Sequence, residues 1–194
     1  MQYIQQILFV VLSAVSVWLF ASKAAQIRRN ILLGKDENLN DQPALRWKNL
    51  LLLAFGQKKM FSNPLVAVMH FIIYAGFIII NLEVLEIVLD GILGKHRLFA
   101  APLGSLYNWL INAFEFLAVG VILVCIVFLA RRNMIKLKRF ISKDLNGWPR
   151  SDANYILFTE IVLMSLFLTM NATDLVLQER GNSHYPTTGN FYFS

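Results

Sequence analysis

"SNPLVAVMHFIIYAGFIII", residues 62–80, decides the class of this protein. From Pro64 the chain is almost uninterruptedly apolar as far as Leu89, enough to cross the roughly 30 Å hydrocarbon core of a bilayer as a helix. Yet His70 stands inside that run. An ionisable side chain in a spanning helix is costly and normally faces the bundle interior or a functional site, so the histidine needs a purpose.

Three other runs are long enough to span: Ile4–Ser22, Leu106–Ala130 and Tyr155–Leu177. Of the 194 residues, 57% are hydrophobic and 15% charged, against about 25% charged in a soluble domain. The expected fold is therefore an all-α membrane bundle with four visible transmembrane helices. The first run lacks a basic segment before it and a small-residue cleavage site after it, so it reads as a retained helix and not as a signal peptide. Cys125 is the single cysteine. It rules out an intramolecular disulfide and any CxxC-type metal or iron–sulfur site within these residues.

The net charge of +6 does not point to nucleic acid, because of where the charges lie. Fifteen of the eighteen Lys and Arg residues fall between the first and second runs or between the third and fourth. The positive-inside rule places those two connections in the cytoplasm, with the N-terminus, the 90–105 connection and the C-terminal residues on the outer side. For a bacterial chain that means the inner membrane and a periplasmic N-terminus. Within the first basic connection, residues 44–60 place Leu50, Leu51, Leu52, Leu53 and Phe55 between basic ends. That pattern suits a short helix lying on the cytoplasmic leaflet. Pro64 belongs in the first turn of its helix, and Ser151 or Asp152 suits the cap of the last one. The aromatic residues Phe191, Tyr192 and Phe193 suggest the approach to a fifth helix.

Helical spacing from Asn63 gives Ala67, His70, Tyr74, Phe77 and Asn81, a stripe expected to turn inward while Ile72, Ile73, Ile79 and Ile80 suit lipid. The last run carries a second stripe, Glu160, Met164, Phe167, Asn171, Asp174 and Gln178. The third run carries Asn108, Asn112 and Glu115. A membrane histidine can be a neutral interhelical hydrogen-bonding group, a haem axial ligand, or a proton-relay or transport residue. Ala67 leaves room for a flat macrocycle and Tyr74 and Phe77 can pack on it, which favours haem. The second axial ligand is then expected outside these residues, since His96 and His184 stand in outer-side segments. Glu115 and Asp174, with Asn112 and Asn171, are the candidates for a quinone site and its protons. Two rival readings use the same residues: a structural anchor without a cofactor, tethering a soluble enzyme through its basic loops, and a small transporter.

The segments "RWKNLLLLAFGQKKMFSNPLVAVMHFIIYAGF", "LDGILGKHRLF", "RRNMIKLKRF" and "WPRSDANYILFTEIVLM" followed by "MNATD" resemble the membrane half of bacterial (Fe-S)-binding oxidoreductases related to heterodisulfide reductase. The resemblance implies a five-helix domain similar to the gamma (cytochrome b) subunit of respiratory nitrate reductase. It also implies a following cytoplasmic domain with iron–sulfur clusters. The implied activity is electron transfer between a cytoplasmic donor, electron-transfer flavoprotein in some relatives, and menaquinone. The resemblance carries the haem b ligand onto His70. The nitrate-reductase-like pattern has two histidines ten residues apart on this helix, but Met60 and Ile80 stand at those positions here, so one haem is expected from this helix.

Overall fold

The computed structural model describes residues 2–35, 41–58, 61, 63–135 and 147–181. Each apolar run becomes a long helix: α1 (Gln2–Leu32), α3 (Pro64–Leu93), α5 (Ser105–Asn133) and α6 (Trp148–Glu179). Two short helices, α2 (Pro43–Asn49) and α4 (Ala100–Leu103), lie in the connections, and α2 continues as a π-helical turn over Leu50–Phe55. No strand occurs among the described residues, and these four long helices are long and apolar enough to cross a membrane. The chain is an all-α membrane protein.

The helices outrun their apolar cores because propagation adds a backbone bond for each residue fixed. Thus α1 continues past Ser22 to Leu32. The start of α3 is local: Pro64 needs no N–H partner there, and Asn63 accepts from the Val66 N–H at 3.4 Å. The start of α6 differs from the expectation. Gly147 turns the chain (φ 84°) and Pro149 stands in the first turn, so the helix begins at Trp148 and Ser151 and Asp152 lie inside it. Hydroxyls on exposed helix faces are satisfied within their own helix. Ser165, Thr169 and Thr173 each donate to the carbonyl four residues earlier at 2.7–2.8 Å.

Two compact units divide the chain, one drawn from Met1–Ala67 with Gly91–Lys95, the other from Val68–Asp90 with His96–Ser194. In the first, the Gln6 amide donates to the Ile92 carbonyl at 2.5 Å. In the second, α5 and α6 are the most closely packed pair of helices. Its core is Ile80, Tyr107, Ile111, Phe114, Ala118 and Phe167. At one end of the α5–α6 pair, the Asn154 amide donates to Asn133 at 3.1 Å and Arg132 Nε donates to Asn154 at 3.1 Å.

Small residues set which face of α3 is covered. A Cβ on Gly76 would lie 2.6 Å from Val121 Cγ2, and one on Gly120 would lie 3.2 Å from Ile72 Cγ2. The close approach to α5 therefore runs along Ile72, Gly76 and Ile80, two of which had been expected to face lipid. Covering that face uncovers another. His70 and Tyr74 are half-buried, while Phe77 is 62% exposed and Asn81 is exposed, its amide donating to the Phe77 carbonyl of its own helix. The expected inward stripe of α3 thus sits at the rim of the covered face. The stripe on α6 lies deeper, with Phe167, Asn171 and Asp174 all buried.

If Gly76 permits the α3–α5 approach, Gly76→Ala should destabilise the protein by about 1–3 kcal/mol, and adding Val121→Ala should recover most of the loss. Equilibrium unfolding in detergent measures both. A neutral Gly76→Ala contradicts the packing described.

Candidate functional site

The densest polar constellation is built around a residue in a connection. Arg97 follows α3 by four residues, in a left-handed conformation (φ 55°), and its side chain is buried. Non-glycine residues seldom adopt that conformation, and here α3 holds the backbone in place. Asp90 accepts from the N–H groups of Arg97 at 2.6 Å and Leu98 at 3.1 Å, and Glu86 accepts from Phe99 N–H at 2.7 Å. Three consecutive amides of the connection thus end on carboxylates of one helix.

The guanidinium then gathers the other helices. Nη1 donates to Glu83 at 2.5 Å and to the Tyr107 hydroxyl at 3.2 Å. Nε donates to Asp174 at 2.9 Å, and Nη2 lies 2.8 Å from the same carboxylate oxygen. Nη2 also donates to Asn171 at 2.6 Å. The network extends further, because Tyr107 donates to Glu86 at 2.7 Å and the Asn171 amide donates to Glu115 at 3.0 Å. Glu115 is fully buried, whereas His96 is 30% exposed and places Nε2 3.1 Å from Asp174. A continuous chain of polar contacts therefore runs from a partly exposed imidazole to a buried carboxyl.

Burial by itself would pull the Arg97 pKa down. The carboxylates of Glu83 and Asp174, with Tyr107, override that and raise it above the ordinary arginine value. The group stays charged, so its partners must stay paired with it. Nearby, Asn108 Oδ1 is buried without a hydrogen-bond donor among the described residues.

Three of the residues picked from sequence, Glu115, Asn171 and Asp174, meet in this network. Asn112 lies one turn before Glu115 on α5 and is half-buried. Glu83, Glu86, Asp90 and Arg97 were missed. A signal was present: three carboxylates spaced by three and four residues near the end of a spanning run, then an arginine seven residues later. Carboxylates on one helix face within an apolar span need a cation.

His70 stands elsewhere. It precedes Glu83 by thirteen residues of α3, about 20 Å of helix. Its imidazole makes no hydrogen bond among the described residues. Ala67, one turn before it, is buried and Tyr74 is half-buried. An imidazole is of the ligand type that an axial haem position takes, while Ala67 is already covered within the protein. No second ligand stands with them among the described residues, where no group of three or more metal-ligating side chains occurs. His96 is engaged by Asp174, and His184 lies outside the described residues, as do the aromatic residues 191–193 and the basic stretch 136–146.

No family model matches the sequence, and no solved structure matches it. Among curated proteins, the chain is 24% identical over 177 residues to the probable iron-sulfur-binding oxidoreductase FadF of Bacillus subtilis (strain 168). The similarity covers 91% of this chain and 24% of that protein, so the chain spans about a quarter of its relative's length.

Replacing Arg97 by Met leaves Glu83 and Asp174 buried without their cation. The expected cost is about 3–5 kcal/mol, seen as a lower unfolding midpoint in detergent. The triple variant Arg97→Met/Glu83→Gln/Asp174→Asn should be more stable than Arg97→Met alone. Equal stability of the two would show that the charges are not paired as described.

Proposed function

We propose that this chain is the membrane module of an electron-transferring oxidoreductase. In this reading it carries a b-type haem on His70 and passes electrons between a cytoplasmic iron–sulfur domain and the menaquinone pool. The observation that carries the reading is the similarity to an iron–sulfur-binding oxidoreductase along nearly the whole chain. With one cysteine in these residues, clusters belong to a further domain or subunit, in line with the relative's much greater length. That domain would follow a fifth helix, which would complete a bundle similar to the nitrate reductase gamma subunit. Electron-transfer flavoprotein is the proposed donor.

The imidazole of His70, without a hydrogen bond among the described residues, is open to a ligand role and supports the cofactor assignment. A haem bound there supplies one-electron exchange at the depth of the first third of α3. His70 holds one axial position, the small Ala67 stands one turn before it, and Tyr74 with Phe77 offers aromatic surface. Phe77 is uncovered within this chain, so an aromatic face is free to meet a cofactor or a further helix.

The Arg97 network is proposed as the quinone-side site, at the periplasmic end by the positive-inside rule. With electrons arriving from that donor, menaquinone is reduced and takes up two protons, so proton-transferring groups are required. Glu115 and Asp174 serve as these, with Asn171 and Asn112 orienting the head group. The unused acceptor Asn108 Oδ1 is suited to a quinol hydroxyl. Asp174 touches both the buried Arg97 and the partly exposed His96, which gives a proton a route from water to the site.

Two measurements test this. Reduced-minus-oxidised spectra of the protein with its downstream sequence should show a b-haem alpha band that His70→Ala abolishes. A colourless wild type, or an undiminished band in the variant, would sink the haem reading and favour a structural anchor. Separately, Glu115→Gln and Asp174→Asn should each slow menaquinone reduction by about 100-fold while leaving the haem band intact. Unchanged turnover in both would remove the quinone site from the Arg97 network.

A further inference from the structure

The connection between α1 and α3 holds a helical rod with no buried residue. Gln42 and Gln57 both adopt left-handed backbone conformations (φ 46° and 50°), so a sharp turn stands at each end. Between them α2 runs directly into the π-helical turn, which closes when Gly56 N–H donates to the Leu51 carbonyl at 2.7 Å. A Cβ on Gly56 would lie 2.9 Å from the Leu52 carbonyl oxygen, so the closure requires glycine. No residue of α2 or of this turn is buried, and Trp47, Leu50, Leu51, Leu52, Leu53 and Phe55 are 43–65% exposed.

An apolar surface of this extent needs a cover. Two observations name it. Only residues 56–63 separate the rod from Pro64, the first residue of a spanning helix. Fully extended, they reach about 27 Å, so the rod is held at the membrane surface. Its four consecutive leucines also point to all sides of a helical turn. A docked protein covers one side of a rod, whereas an acyl layer surrounds it. Charge then selects the lipid. Residues 43–58 contain Arg46, Lys48 and Lys58 and no acidic residue, and none of the three takes part in an ion pair among the described residues.

We propose that residues 43–58 form a lipid-binding anchor. The Leu50–Phe55 turn sinks into the interfacial region of the leaflet on the side of the basic connections, and Arg46, Lys48 and Lys58 hold anionic headgroups. This anchor stands independently of the electron-transfer reading.

The test uses the full chain with Cys125→Ala and a nitroxide on Leu51→Cys, in vesicles of phosphatidylglycerol or of phosphatidylcholine. A nitroxide on Lys35→Cys serves as the aqueous control. In phosphatidylglycerol the label at 51 should relax with oxygen and resist a polar nickel reagent, while the control does the reverse. Each of Arg46→Gln, Lys48→Gln and Lys58→Gln should lower the inserted-to-free ratio on the order of fivefold. A label at 51 as open to nickel as the control overturns the anchor. A label shielded from both relaxants overturns it in favour of a protein cover. Insertion indifferent to lipid charge and to the three substitutions overturns the headgroup assignment.

Discussion

One buried guanidinium organises the end of the bundle that carries the 94–104 connection. Arg97 pairs with the carboxyls of both Glu83 and Asp174, and it also donates to Tyr107 and Asn171. Those partners come from α3, α5 and α6, so a single side chain joins three helices that are otherwise mainly apolar. In an apolar medium such pairing is obligatory: each carboxylate that lost its cation would carry most of its desolvation cost. The connection is consequently part of the interior. Its amides at 97, 98 and 99 are bound by Asp90 and Glu86, and Arg97 is held in a backbone conformation it would otherwise avoid.

The two ends of α3 are chemically distinct because of this. One end has a half-buried imidazole beside small and aromatic residues. The other has carboxylates, a guanidinium, amides and a partly exposed His96. An electron carrier needs the first kind of environment, and proton exchange with water needs the second. The proposed function assigns these roles to the two ends, about 20 Å apart along one helix.

Hydropathy alone made the four spans legible, because a bilayer demands a long apolar run whatever the tertiary packing. The buried face of α6 was legible too, since Asn171 and Asp174 are rare polar residues in an apolar span and lie at helical spacing. The face of α3 was not. Its histidine, tyrosine and asparagine suggested one side, yet Gly76 and Gly120 let α5 approach the neighbouring side and leave Phe77 and Asn81 uncovered. A polar stripe competes poorly with a small-residue contact, because a glycine lets a neighbour's side chain, here Val121, pack against the helix backbone. Asn81 satisfies its amide on its own helix and so loses little by facing outward. Arg97 was illegible for a different reason. It lies in a connection, its partners are up to 77 residues away, and no periodicity within one helix reveals a cation supplied from outside it.

The Arg97 clamp is tested most directly by backbone hydrogen exchange at the connection it folds inward. In native protein the amides of Arg97, Leu98 and Phe99 should exchange orders of magnitude more slowly than those of an unstructured peptide, opening only with the surrounding helices. Exchange of all three at the unstructured rate would show that Asp90 and Glu86 do not hold them. The connection would then lie free of the bundle, without the interior cation on which this account depends.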